Sequence, residues 1–147
     1  MTVLILQRSG RGARERHHHG VRLRQDPAEL GRARAFAEAA GERFGLDRVA
    51  RDDFKLATSE AVANAIEHGG PCADGAIHLW TVEREATLTL GVRNGGEFVF
   101  KPPASDPLAE RGRGLAVMTG LVDAVALSRI GDDIQVELSK GRGHGNG

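Results

Sequence analysis

Residues 59–70, SEAVANAIEHGG, place Glu60, Asn64 and His68 at four-residue intervals. Because an α-helix turns by about 100° per residue, this spacing puts the three side chains on one helix face, together with Asp53 and Glu67. The opposite face collects apolar side chains, namely Phe54, Ala61, Val62, Ala65 and Ile66. The pattern predicts an amphipathic helix that packs its apolar side on a core and carries one polar stripe.

Two members of this stripe have side chains suited to chemistry. Asn64 carries an amide oxygen of the kind that hard cations bind, and Glu60, one turn earlier, carries a carboxylate that can accept a proton. Most polar stripes on helices of globular proteins simply face water. The helix alone therefore leaves a functional and a purely solvated interpretation open, and other segments must decide between them.

The composition restricts the class of protein. The 147 residues suit a single domain, and an apolar content of 40% indicates a globular chain. No apolar run is long enough to span a bilayer, and no basic region precedes the apolar patch at the start, so we expect neither a membrane segment nor a signal peptide. Cys72 is the single cysteine, which excludes an internal disulfide and favours a reducing, cytoplasmic location.

Charge divides the chain into three parts. Twenty basic and twenty acidic residues balance overall, so nucleic acid is not expected as a direct partner. Residues 1–24 nevertheless hold six arginines against one acidic residue, Glu15. We therefore predict a flexible Arg- and Gly-rich arm over residues 1–20, followed by one folded domain over 21–139 and a disordered tail over 140–147. The run His17 to His19 is interpreted as solvated, with metal binding as the alternative.

Turn signals and periodicity predict the elements of the domain. Asp26 and Pro27 begin a helix that runs to Phe44 and is closed by Gly45; the striped helix follows, from about Val49 to His68. Hairpins are predicted at 76–83 with 86–93 and at 125–129 with 134–138, a short strand at 21–24, and an apolar helix after Gly114. The expected fold is α+β, a two-layer sandwich of a mixed, mostly antiparallel sheet covered on one face by three helices.

A second candidate for chemistry is Gly112-Arg113-Gly114, which follows a long loop without periodicity and opens the third helix. Glycines allow backbone amides to approach phosphate oxygens, and the N-terminus of a helix favours anions. A single GxG is weak evidence by itself. Its weight comes from its position after the loop and from the acid and amide stripe on a separate helix.

This ordered set resembles the ATP-binding fold of the GHKL superfamily, and within it the small anti-sigma factor serine kinases of the RsbW and SpoIIAB type. Three segments carry the resemblance: LATSEAVANAIEHG at 56–69 is similar to the N box, VRNGG at 92–96 to the adenine box, and ERGRGLAVMTGLVDAV at 110–125 to the glycine box. The resemblance implies that Asn64 binds Mg²⁺ and that Glu60 is the general base for a serine hydroxyl. It also implies that ATP contacts Asn94, Gly96, Gly112, Arg113, Gly114 and Leu115.

The resemblance further implies a function. The chain would be a serine/threonine kinase that uses ATP and Mg²⁺ to phosphorylate a serine of a STAS-type anti-anti-sigma factor. It would also be an anti-sigma factor that binds a sigma factor, and it would form a homodimer. Two departures from the family pattern support an alternative, a non-catalytic interaction module: Asn94 stands where the family has an aspartate, and Gly95 and Gly96 are adjacent where the family has separated glycines. A detached histidine-kinase catalytic domain is a weaker alternative, since no dimerising helix with a phosphoacceptor histidine is recognised.

Overall fold

A computed structural model describes residues 3–8, 19–96 and 117–142. Its helical elements are a 3-10 turn, Pro27–Glu29, the helices α1, Leu30–Phe44, and α2, Arg48–His68, and a short helical segment at 117–121. The strands are β1, Val3–Arg8; β2, His19–Leu23; β3, Ile77–Glu83; β4, Thr87–Gly95; β5, Ala124–Ile130; and β6, Asp133–Gly141.

The helix boundaries follow the local signals in the sequence. The Asp26 side chain accepts a hydrogen bond of 2.9 Å from the Ala28 amide, and Gly45 closes α1 in the left-handed conformation at φ 95°, as predicted. Asp47 caps α2 in the same way, accepting from the Ala50 amide at 2.8 Å. The two helices are therefore separated by a short connection in which each end is capped.

The described strands form one sheet in the order β1-β5-β6-β4-β3-β2. Every neighbouring pair is antiparallel except β1 and β5, which are parallel. Both predicted hairpins are present, β3 with β4 and β5 with β6. The predicted fold class, a mixed and mostly antiparallel sheet with helices on one face, is confirmed.

Two features of the sheet were not predicted. Val3–Arg8 falls within the stretch interpreted as an arm, yet it forms β1, which pairs with β5 from Val3 opposite Ala124 to Arg8 opposite Arg129. At the other end, β6 continues to Gly141, beyond the predicted limit at Leu138, because the start of β4 pairs with it there. Both extensions depend on partners distant in sequence, which a local pattern does not reveal.

The core lies between the helices and one face of the sheet. Phe54 and Val62 of α2, Leu90 and Val92 of β4, and Met118 are fully buried there. The two helices are also joined by ion pairs, since the Glu38 carboxylate of α1 lies 2.8 Å from Arg51 Nε and 2.7 Å from Lys55 Nζ of α2. Packing and charge together fix the position of α2 on the sheet.

The helices that the structure describes include none that is long and apolar enough to cross a membrane.

Candidate functional site

The polar stripe of α2 is arranged as the spacing predicts. Its apolar side is buried in the core, as the exposures of Phe54, Ala61, Val62, Ala65 and Ile66 show, all at 8% or less. Glu60 and Asn64 are half-buried on the other side. A helix held by its apolar side presents these two side chains at a fixed spacing of one turn.

Glu60 and Asn64 are the uncommitted members of the stripe. Asp53 lies 3.8 Å from Lys140 Nζ, and Glu67 lies 3.6 Å from Nε2 of His68. Neither Glu60 nor Asn64 forms a side-chain hydrogen bond or ion pair with any residue of the described ranges 3–8, 19–96 and 117–142. Their oxygen atoms are therefore free to bind something other than this part of the chain.

At the end of β4, Asn94 is buried, with 4% of its surface exposed. Its Nδ2 donates a hydrogen bond of 2.8 Å to the Gly95 carbonyl oxygen. Since a carbonyl oxygen can only accept, this bond fixes which end of the amide is the NH₂ group and directs Oδ1 to the other side. Within the described ranges Oδ1 accepts no hydrogen bond, so an acceptor is left at this point.

Glycines bring the end of α2 into direct contact with the end of β4. Gly70 and Gly95 exchange two backbone hydrogen bonds, of 3.1 and 2.9 Å. A Cβ atom at Gly69 would overlap Nδ2 of Asn94 and lie 2.9 Å from the Ala65 carbonyl oxygen, so this approach requires glycine. The segment that carries Asn64 and the segment that carries Asn94 therefore meet at one end of the molecule.

Gly96, the next residue, lies at φ 87°, a conformation that side-chain-bearing residues rarely adopt. It is exposed, and the place of its Cβ would be 3.6 Å from Gly69 Cα. Each of the two adjacent positions therefore requires glycine for a different reason. At Gly95 a Cβ would overlap the Pro71 carbonyl oxygen, and at Gly96 the backbone conformation disfavours a side chain.

Sequence reasoning missed a further residue at this junction, Gln25. Its Nε2 donates to the carbonyl oxygens of Ile66, at 3.0 Å, and of Gly69, at 3.3 Å. These acceptors lie at the C-terminus of α2, where carbonyl groups lack helical partners. The contact joins residues more than forty positions apart, so no local signal in the sequence could have indicated it.

Several predicted residues lie outside the described part of the chain: Gly112, Arg113, Gly114 and Leu115, with His17 and His18. Their predicted roles stay predictions. Within the described ranges no group of three or more His, Cys, Asp or Glu side chains is arranged to hold a metal ion.

Two residues that the sequence placed outside the site are explained by structure. Trp80 is 3% exposed on β3 and packs across Gly91, whose Cβ would overlap its ring. Cys72 lies in the turn after α2, where its Sγ is 3.6 Å from the Arg93 carbonyl oxygen. Burial, and then the nearby Asp133 carboxylate, raise the pKa of the Cys72 thiol to about 11. A thiol with that pKa is not activated as a nucleophile.

Comparison with known proteins agrees with this architecture. Residues 23–140 match the sequence profile of the family described as "Histidine kinase-like ATPase domain". The chain is 36% identical over 100 residues to an anti-sigma F factor of Clostridium acetobutylicum, covering 63% of this chain and 64% of that protein. It is 30% identical over 120 residues to the serine-protein kinase RsbW of Bacillus pumilus, covering 71% and 74%.

A solved structure shares the fold. The crystal structure of the RsbU and RsbW domains of a Mycobacterium tuberculosis protein superimposes with a TM-score of 0.64 at 20% identity, covering 84% of this chain and 32% of that one. At this identity the likeness shows the fold alone. With the profile match across most of the sequence, the predicted resemblance is confirmed: the chain belongs to the histidine kinase-like ATPase domain family, among the relatives of the RsbW type.

Proposed function

We propose that this protein is an anti-sigma factor that binds ATP with Mg²⁺ and phosphorylates a serine of an anti-anti-sigma factor. The observation that carries the proposal is the pair Glu60 and Asn64, one turn apart and uncommitted within the described ranges. Their helix ends against the segment that carries Asn94. The relatives called anti-sigma F factor and serine-protein kinase RsbW support the same assignment.

The end of β4 fits an adenine base. Oδ1 of Asn94 would accept a hydrogen bond from the exocyclic amino group, because Nδ2 is already bound to the Gly95 carbonyl oxygen at 2.8 Å. The glycine-lined backbone at Gly95 and Gly96 leaves space beside it that side chains would fill. A neutral amide also avoids the desolvation cost of a carboxylate at a position with 4% exposure.

The α2 stripe fits a hard cation. Mg²⁺ favours oxygen ligands and commonly keeps several waters while it binds one or two protein groups and substrate phosphates. The Asn64 amide oxygen, half-buried and unpaired within the described ranges, is a suitable protein ligand. When bound, Mg²⁺ would neutralise charge on the phosphate oxygens.

Glu60 is the proposed base. In the proposed reaction the serine oxygen forms a bond to the γ-phosphorus, the bond from that phosphorus to the bridging oxygen breaks, and ADP leaves with the electron pair. The Glu60 carboxylate takes the proton of the serine hydroxyl. Because phosphoryl transfer depends mainly on positioning and charge neutralisation, few residues are needed.

The remaining parts of the proposal come from the sequence and the relatives. Gly112, Arg113, Gly114 and Leu115, which lie outside the described ranges, would bind the phosphates through backbone amides and the Arg113 charge. The proposed protein partners are a sigma factor and a STAS-type anti-anti-sigma factor. The proposal includes action as a homodimer in the cytoplasm.

The test is a phosphotransfer assay with radiolabelled ATP and candidate STAS-type proteins from the same genome. Glu60→Gln should lower the transfer rate at least about 100-fold while ATP affinity stays within about twofold. Glu67→Gln is the matched control, since Glu67 lies on the same stripe and is exposed; it should transfer at the wild-type rate. Equal rates for Glu60→Gln and wild type would remove Glu60 as the base, and no transfer by wild type to a partner that it binds would remove the kinase activity.

One observation favours a second candidate, an interaction module that binds its partners without nucleotide turnover. Asn94 offers a neutral acceptor, and a hydrogen bond to a neutral group is weaker than one to a charged group. Calorimetry separates the two candidates. Micromolar ATP binding that is lost in Asn94→Ala would contradict the module, whereas partner binding without measurable ATP binding would establish it.

A further inference from the structure

A pocket of about 700 Å³ lies on the other side of the sheet from the candidate nucleotide site. It is formed by β2, the turn after α2 and the adjoining strands, and it is lined by Arg22, Arg32, Asp74, Trp80, Arg93 and Asp133, among others. Arg93 and Asn94 are consecutive on β4 and so point to opposite faces of the sheet. The pocket is therefore distinct from the site that contains Asn94. We call it the β2-edge pocket.

The two carboxylates of the pocket are already paired. Asp74 Oδ2 lies 2.7 Å from His78 Nε2 and 3.3 Å from Arg22 Nη2, and its Oδ1 accepts from the Ala76 amide at 3.0 Å. The hydrogen bond from Ala76, followed by that from His78, lowers the pKa of Asp74. Asp133 accepts a hydrogen bond of 2.9 Å from Arg93 Nε.

The guanidinium groups keep unused donors. Arg93 is bonded through Nε, and neither of its Nη atoms forms a hydrogen bond within residues 3–8, 19–96 and 117–142. The side chains of Arg22 and Arg32 are 63% and 56% exposed. Arg32 already pairs with the Glu29 carboxylate at 3.2 Å, and Arg24 lies 3.6 Å from the same carboxylate. In and beside the pocket, four guanidinium groups, of Arg22, Arg24, Arg32 and Arg93, thus face three carboxylates, of Glu29, Asp74 and Asp133, and arginine has donors only. The complementary ligand carries an acceptor group with negative charge, and a carboxylate matches the planar fork of arginine.

The backbone beside the pocket offers a second mode of recognition. In the described sheet β2 is an edge strand that pairs with β3 alone. Arg32 Nη1 reaches the Arg22 carbonyl oxygen at 3.4 Å, so the polar backbone groups of Arg22 point away from β3. By the alternation of an antiparallel pair, those of Gly20 point the same way. An exposed strand edge of this kind pairs with extended peptides.

From these features we infer that the β2-edge pocket binds an extended acidic segment of a partner protein. The backbone of that segment adds to β2 at Gly20, and at Arg22 it replaces the 3.4 Å contact from Arg32 Nη1 to the carbonyl oxygen. One of its carboxylates enters the pocket to meet Arg93 and Arg22. The stretch of this chain that precedes β2 does not match by charge, because residues 9–18 contain Arg11, Arg14 and Arg16 against Glu15. The inference does not depend on nucleotide binding.

Trp80 provides the measurement, since it is the only tryptophan of the chain and lines the pocket. The probes are two heptapeptides, each acetylated at the N-terminus and amidated at the C-terminus. The glutamate peptide alternates Val and Glu, and the lysine peptide alternates Val and Lys. The glutamate peptide should change Trp80 emission saturably, with a dissociation constant of about 1 mM or below, and the lysine peptide should not. Arg22→Gln and Arg93→Gln should each weaken binding about tenfold.

Controls separate the pocket from general charge effects. Arg48→Gln alters an exposed arginine at the start of α2 that does not line the pocket, and it should bind as wild type does. Urea unfolding confirms that each variant is folded. A glutamate peptide methylated on alternate backbone nitrogens should bind more weakly than its parent, because the methyl groups block strand pairing.

Any of four results would overturn the inference. The first two are that the glutamate peptide leaves Trp80 emission unchanged, or that the lysine peptide binds as tightly as the glutamate peptide. The other two are that Arg22→Gln and Arg93→Gln both bind the glutamate peptide as wild type does, or that the methylated peptide binds as tightly as its unmethylated parent. Self-association of the protein that Arg93→Gln abolishes in sedimentation equilibrium would instead assign the β2-edge pocket to a second copy of this chain.

Discussion

Replacing Gly69 by alanine places a methyl group where α2 ends against β4. The new Cβ would overlap Nδ2 of Asn94 and lie 2.9 Å from the Ala65 carbonyl oxygen. The Ala65 carbonyl belongs to α2 and cannot move without disturbing the helix, so the buried Asn94 side chain has to shift. That shift breaks its hydrogen bond of 2.8 Å to the Gly95 carbonyl oxygen.

The magnitude follows from these contacts. Inserting a methyl group into a packed site costs about 1–3 kcal/mol, and the lost hydrogen bond costs about 1 kcal/mol. We expect the free energy of unfolding of Gly69→Ala to fall by about 2–4 kcal/mol. If Asn94 Oδ1 accepts from adenine, as proposed, its displacement should also weaken ATP binding about fivefold to tenfold, because about 1.4 kcal/mol corresponds to a factor of ten.

Gly70→Ala is the matched control, because no atom of the described residues lies within 4 Å of the place of its Cβ and its two backbone bonds to Gly95 do not involve a side chain. It should change stability by no more than about 0.5 kcal/mol and leave ATP affinity unaltered. Urea unfolding followed by Trp80 fluorescence gives the stabilities, and calorimetry gives the affinities. Equal stabilities for the two variants would refute the packing argument, and loss of stability without loss of affinity would refute the role of Asn94.

Three further predictions concern residues that support the fold. The hydrogen bond from Lys55 lowers the pKa of Glu38. The stabilisation from this ionised carboxylate is therefore complete above the unfolded-state pKa of about 4.3 and is lost as the pH falls through the lower folded-state pKa. Glu38→Gln should be less stable than wild type in urea at pH 7, and the difference should disappear toward pH 3. Gly91→Ala should destabilise the protein by about 1–3 kcal/mol and shift Trp80 emission, because its Cβ would overlap the indole ring. Gly31→Ala is the control: Gly31 is exposed on α1, no atom in the described part of the chain lies within 4 Å of the place of its Cβ, and the substitution should stabilise by up to about 1 kcal/mol. Cys72, with its pKa raised to about 11, should react with iodoacetamide at pH 7.5 far more slowly in the folded protein than in urea, and equal rates would contradict its burial.

The parts of the fold that depend on local chemistry were predictable. Asp26 and Gly45 fix the limits of the first helical stretch through a side-chain cap and a left-handed glycine. The four-residue spacing of Glu60 and Asn64 correctly placed the exposed and buried sides of α2. In each case the residues that determine the structure lie within one or two turns of each other, so the sequence pattern contains the information.

Features that depend on distant partners were not predictable. β1 exists in the sheet because β5, more than a hundred residues later, pairs with it. Gln25 lies in a turn, and its role becomes visible when α2 brings Ile66 and Gly69 to its side chain. The tight contact of Gly69 with Asn94 likewise joins two separate sequence motifs. The resemblance named the motifs, but the contacts between them required the fold.

Calorimetric titration of ATP in the presence and absence of Mg²⁺, on wild type and on Asn64→Ala, tests the central claim most directly. The claim is that the α2 stripe is a magnesium and nucleotide site. Wild type should bind ATP at least about tenfold more tightly with Mg²⁺ than without it, and Asn64→Ala should bind ATP with the same affinity in both conditions. If Asn64→Ala keeps the full magnesium dependence of wild type, Asn64 is not the ligand and the stripe is only a solvated helix face.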